Sequence, residues 1–163
     1  MTIPTSLGHE AAMLSRALHE GRPLAAVAGV PETSLAAARE LAGWAAAVGE
    51  TSLAVAMWEG CAALDDAPES WLGLAAAARA SDHAQRSFEA ASRAGSHPAA
   101  RGAERAAAAL LCARACLLAE RHEDARRWLA TIPDDAEADA VRLARGIEVA
   151  LRAREGTPHR QER

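Results

Sequence analysis

Short breaks, most of them rich in glycine, proline, aspartate or serine, cut this chain into segments that are mostly too long for ordinary strands and show helical spacing of their apolar residues. The breaks fall at Gly21–Pro23, Pro31, Val48-Gly49-Glu50, Asp65-Asp66-Ala67-Pro68, Ser81-Asp82, Gly95-Ser96-His97-Pro98, Glu120-Arg121-His122 and Ile132-Pro133-Asp134-Asp135. Glycine and proline there interrupt both helix and strand, so each interval is one element.

The intervals read as helices. Residues 6–20 place Leu7, Met13, Leu14 and Leu18 in a short amphipathic helix, and Leu24 to Val30 makes a second, shorter one. Glu32-Thr33-Ser34 offers capping side chains for a long helix over residues 35–48. The spacing then predicts helices over 52–64, 69–80, 84–94 and 101–119, one that resumes after His122 and runs to 130, and one over 136–154, with a polar tail at 155–163. Much of the apolar content is alanine, as in Ala36-Ala37-Ala38 and Ala106 to Ala109. Alanine loses no side-chain entropy in a helix and allows close helix approach. No Val/Ile/Thr-rich run alternates as a strand would, so the expected class is all-α.

The predicted second helices of successive pairs share a pattern. Ala54, Trp58 and Cys61 stand four and three apart, as do Ala84, Phe88 and Ala91, and a proline follows each helix. Small, bulky, small with a closing proline is the tetratricopeptide pattern. The small residue admits the preceding helix, and the bulky one fills space toward the next pair. The expected architecture is a helical-hairpin solenoid. It divides into an N-terminal segment (1–34), three repeats (35–135), a C-terminal capping helix (136–154) and a tail (155–163). The competing reading is an irregular alanine-rich helical bundle.

Composition narrows the function. The chain has no lysine, asparagine or tyrosine, and all eighteen basic residues are arginine, a bias expected of a GC-rich bacterial genome. A net charge of −4 argues against a nucleic-acid or anionic-membrane surface. No uncharged apolar stretch is long enough to span a bilayer, and the start MTIPTSLGHE lacks a secretory leader's pattern. With three cysteines there is no paired disulfide framework. These features lead us to expect a cytoplasmic protein.

Catalytic chemistry is not expected. Cys112 and Cys116 lie four apart on one helical face, but structural zinc needs four ligands and His122 falls past that helix, so both read as core residues. The six histidines are scattered. Asp65-Asp66 and Asp134-Asp135 read as turn formers beside prolines. Arg121, Arg126 and Arg127 alternate with Glu120, Glu123 and Asp124, which is a solvated face. No phosphate loop or nucleophile elbow occurs. No enzyme, cofactor or metal is expected. Trp58 and Trp71 are assigned to packing; Trp44 is left open, because Leu41 and Val48 already serve the core of its helix.

The stretch GRPLAAVAGVPETSLAAARELA from Gly21, the run AVAMWEGCAALDDAPESWLGLAAAAR and Cys116-Leu117-Leu118 together resemble the class II type III secretion chaperones, which escort translocator proteins. The resemblance covers residues 21–135. It implies a bacterial cytoplasmic protein whose concave groove takes an extended apolar client segment, and whose N-terminal helix mediates dimerisation. Mapped onto this chain, the groove comprises Arg39, Gly43, Ala46, Ala47, Leu72, Ala76, Arg79, Leu110, Arg114 and Leu117. A weak homodimer through Leu7, Met13, Leu14 and Leu18 is the accompanying expectation. The chain departs from the family where Arg39, Gly43 and Ala46 stand in place of aromatic residues. A general repeat scaffold and a needle-subunit co-chaperone are the alternative functions.

Overall fold

The structure, a computed structural model, describes residues 23–133 and 135–155. The segment 6–20, its residues Leu7, Met13, Leu14 and Leu18, and the tail beyond 155 lie outside the described residues. Among the described residues eight helices and no strands occur: α1 (Leu24–Ala28), α2 (Glu32–Ala47), α3 (Thr51–Asp65), α4 (Pro68–Ala80), α5 (Ala84–Ser96), α6 (Gly102–Leu118), α7 (His122–Leu129) and α8 (Ala138–Glu155). The all-α class therefore holds.

One boundary differs for a clear reason. Glu32, Thr33 and Ser34 form the first turn of α2 and do not cap it. Pro31, extended at φ −63° and ψ 142°, takes the cap position, and its carbonyl accepts from the N–H groups of Ser34 and Leu35. Proline's fixed φ suits a helix entry, and its missing N–H costs nothing there. Pro68 opens α4 in the same way, as its first residue.

Left-handed residues make the tight reversals. Gly29 (φ 66°) ends α1, and Gly49 (φ 86°) joins α2 to α3, a conformation open to glycine without penalty. Asp66, Asp82 and Glu120 do the same after α3, α4 and α6, at φ 46°, 61° and 58°. Aspartate tolerates this region better than most side chains.

Consecutive helices pack against one another along the chain from α2 to α8, and α1 lies on α3. The first members of successive pairs also touch: α2 meets α4, α4 meets α6, and α6 meets α8. The backbones of α3, α5 and α7 do not approach one another in this way, and α3 and α5 are bridged instead by an ion pair between Glu59 and Arg86.

Alanine dominates the interior. Ala42, Ala45, Ala54, Ala75, Ala78, Ala91, Ala94, Ala108, Ala113 and Ala125 have no exposed surface. The larger side chains Met57, Trp58, Trp71, Phe88, Leu111 and Trp128 pack around the central cluster. Ala54 meets the expectation of a small residue between helices, but Ala84 is exposed at the start of α5. Close approach there belongs to Ser87, buried one turn later, whose hydroxyl donates to the Ala75 carbonyl at 2.8 Å. Phe88 meets Trp128 edge-on, 6.1 Å between ring centres. Trp58 lies against Gly73 of α4, so that a β-carbon at Gly73 would run into the indole.

Candidate functional site

The α3–α4 junction organises two polar clusters. The Asp65 carboxylate accepts from Arg39 Nη2 at 2.6 Å, Arg39 Nε at 3.1 Å and the Ser70 hydroxyl at 2.8 Å, and its other oxygen accepts from the Ala67 N–H. Arg39 also pairs with Glu32 at 3.1 Å. Burial lowers the guanidinium pKa, but the bonds to Asp65 and Glu32, with their charges, outweigh it and hold the group above its ordinary value. Next along the chain, Asp66 Oδ1 accepts from Trp71 Nε1 at 2.8 Å and from Arg93 at 3.0 Å, and Arg93 stacks 4.2 Å from the centre of the Trp71 ring. The two aspartates are thus more than turn formers: each joins three helices.

These contacts correct the expected groove. Arg39 is committed to Asp65 and Glu32, with only 14 % of its side chain exposed, and is not a groove cation. Leu117 is buried in a second cluster with Cys116, Ala125 and Leu151 because α8 covers that side of α6. It lines no groove. Eight residues remain. Gly43, Ala46 and Ala47 are exposed on α2; Ala76 and Arg79 are exposed and Leu72 half-buried on α4; Arg114 is exposed and Leu110 half-buried on α6. On α4, Leu72, Ala76 and Arg79 follow at helical spacing of four and three, and on α6 Leu110 and Arg114 are four apart, so each set shares one face.

Sequence reasoning missed a further part of this surface. Arg79 and Arg114 line a small cleft of about 40 Å³ together with Asp82, Leu111 and Leu118. Leu118 is 58 % exposed, four residues beyond Arg114; extending the Leu110–Arg114 spacing by one turn would have found it. Neither arginine makes an ion pair with another described residue. A larger cleft of about 360 Å³ lies elsewhere, between α7 and α8, floored by Leu129 and Leu151 and rimmed by Arg126, Glu148 and Arg152.

The cysteines belong to the interior. Cys61, Cys112 and Cys116 are free and buried. Burial raises each thiol pKa, that of Cys112 from 9.0 to about 12 with a smaller contribution from Cys116. Such thiols are protonated and poor nucleophiles near neutrality. Among the described residues no three His, Cys, Asp or Glu side chains are placed to hold a metal ion, and no helix is long and apolar enough to cross a membrane.

Comparison with protein-family models, curated proteins and solved structures finds no match to this chain.

Proposed function

We propose that the protein is a tetratricopeptide-like binding module that holds an extended segment of a partner protein across α2, α4 and α6, in the manner of the secretion chaperones it resembles. One observation carries the reading. The exposed face of these touching helices is built from small residues, Gly43, Ala46, Ala47 and Ala76, beside Leu72, Leu110 and Leu118. Small residues leave room for a partner's side chains, and the leucines supply apolar contact. Arg79 and Arg114 add two cations free to meet a carboxylate, and desolvated charge-assisted bonds would fix the register of an otherwise apolar segment. On this reading the client is a bacterial translocator-type protein held in the cytoplasm before export.

The test is to fill the face. A β-carbon at Gly43 would meet no atom within 4 Å, so Gly43→Trp should fold normally. With Ala76→Trp, it should weaken binding of a client co-purified from the native host at least tenfold, about 1.4 kcal/mol. Ala54→Trp, placed where no surface is exposed, should instead unfold the chain. Normal client binding by both groove variants overturns the reading.

A further inference from the structure

Arg39, Arg79 and Arg114 are the arginines mapped to the binding face, and they are not equivalent. Arg39 is held by Asp65, whereas Arg79 and Arg114 line one cleft and neither pairs with a carboxylate of the described residues. Elsewhere the guanidiniums are commonly neutralised: Arg86 meets Glu59, Arg93 meets Asp66, Arg121 meets Asp124 and Arg142 meets Asp139.

Helix chemistry accounts for Arg79 alone. It lies in the last turn of α4, where the helix dipole favours a cation. Arg114 is outside the last turn of α6, so no such role explains it. It stands three residues after Leu111 and four before Leu118, and the three share one face of the helix. Asp82 lines the cleft as well but pairs with neither arginine, so two guanidiniums stand beside one carboxylate. In a chain of net charge −4 this is a local excess of positive charge, set beside an exposed leucine. Such a field favours an acidic group from outside.

We propose that this cleft anchors the bound segment: it takes one acidic side chain of the partner, with an apolar neighbour resting on Leu118. The inference rests on the binding-face reading and names the chemistry of what that face holds. Size commits it to a side chain. A cleft of about 40 Å³ has room for a few water molecules, and so for one carboxyl group, but not for a chain terminus with its last side chain. Both guanidiniums can donate to that carboxylate, and charge-assisted bonds are about twice as strong as neutral ones. Alternate side chains of an extended segment face the same way, so a residue two positions from the acid can lie on Leu118. Toward α2 the face offers Gly43, Ala46 and Ala47, and the single arginine there is taken by Asp65. The acid therefore has one seat, and the segment one register.

Selection of a displayed library of random peptides on the immobilised protein tests this without a known client. Peptides held by the unaltered chain, and lost on Gly43→Trp with Ala76→Trp, should be enriched in Asp or Glu with an apolar residue two positions away. Selection on Arg79→Gln with Arg114→Gln should lose the acidic preference and keep the apolar one. On Arg79→Glu with Arg114→Glu the preference should turn to Lys or Arg. A peptide selected on the unaltered chain should bind the double glutamine variant about tenfold more weakly, with a flatter salt dependence. Arg145→Gln, which removes an exposed cation from α8, should change neither. Circular dichroism should show the stack intact in all variants.

Face-dependent peptides with no acidic preference, or with one that survives in the double glutamine variant, overturn this inference and leave the binding-face reading standing. Peptides that bind the tryptophan variants normally, or a selection that yields none, overturn the binding-face reading and this inference with it.

Discussion

The two ends of the stack are finished in opposite ways. At the C-terminal end α8 lies on α6, burying Leu151 to 1 % exposure among Cys116, Leu117 and Ala125, and Arg154 donates to the Leu117 carbonyl at 3.0 Å. That bond adds a second donor to a last-turn carbonyl that already accepts from the Glu120 N–H, with a cation placed where the helix dipole favours it. At the N-terminal end Leu41, Trp44 and Val48 are more than half exposed. Both ends carry the apolar material a stack needs for closure. The difference shows that a cap is defined by its partner and not by its own hydrophobicity: Leu151 and Trp44 would look alike in composition.

Substitutions can break or sharpen that contrast. The largest effect is expected at the junction both ends depend on. Arg39→Leu leaves Asp65, 7 % exposed, without its cation, and should cost about 3–5 kcal/mol by urea denaturation. A loss below about 1 kcal/mol would mean the pair is solvated in solution. At the closed end Leu151→Ala should cost about 3 kcal/mol, within the range for buried leucines. Trp44→Ala is the matching probe at the other end. With the indole 62 % exposed, it should cost about 1 kcal/mol or less, well below the loss at Leu151. Between the ends, Gly73→Ala drives a β-carbon into the Trp58 ring and should cost about 1–3 kcal/mol, with a changed near-ultraviolet spectrum.

The last effect is one of pH. The folded chain holds the Cys112 proton up to about 12, against an ordinary value of 9.0. The unfolded chain therefore ionises first as pH rises. Stability from this group is complete below about pH 9 and is lost between there and about 12. Urea midpoints should fall progressively above pH 9 and less so in Cys112→Ala. At pH 8 a thiol reagent should label none of the three cysteines quickly until denaturant is added.

The sequence predicted the helices well because their ends are marked by local chemistry. Pro31, Gly49, Pro68 and Pro133 act on the residues beside them, so a linear reading suffices. What it missed is non-local. Asp65 looked like a turn residue; its partner Arg39 lies twenty-six positions away on another helix. Leu117 looked like a groove residue because the repeat pattern does not say that α8 will lie over it. Ala84 fitted the small position by spacing alone, while the close contact fell one turn later, at Ser87. Leu41 and Val48, assigned to the core by spacing, are more than half exposed, since amphipathic spacing marks a face that wants cover without identifying the cover.

The alanine interior has a mechanical consequence. Where leucine and methionine meet between helices, side chains turn about their bonds and the helices slide a little against one another. Where Ala45, Ala54, Ala75 and Ala91 meet, there is nothing to turn. Adjoining helices there approach closely, held apart by methyl groups, and have little give. If the surface shared by α2, α4 and α6 holds a partner's segment as proposed, that segment must bring side chains at the protein's own interval, because methyl contacts leave the protein little slack with which to meet a different one.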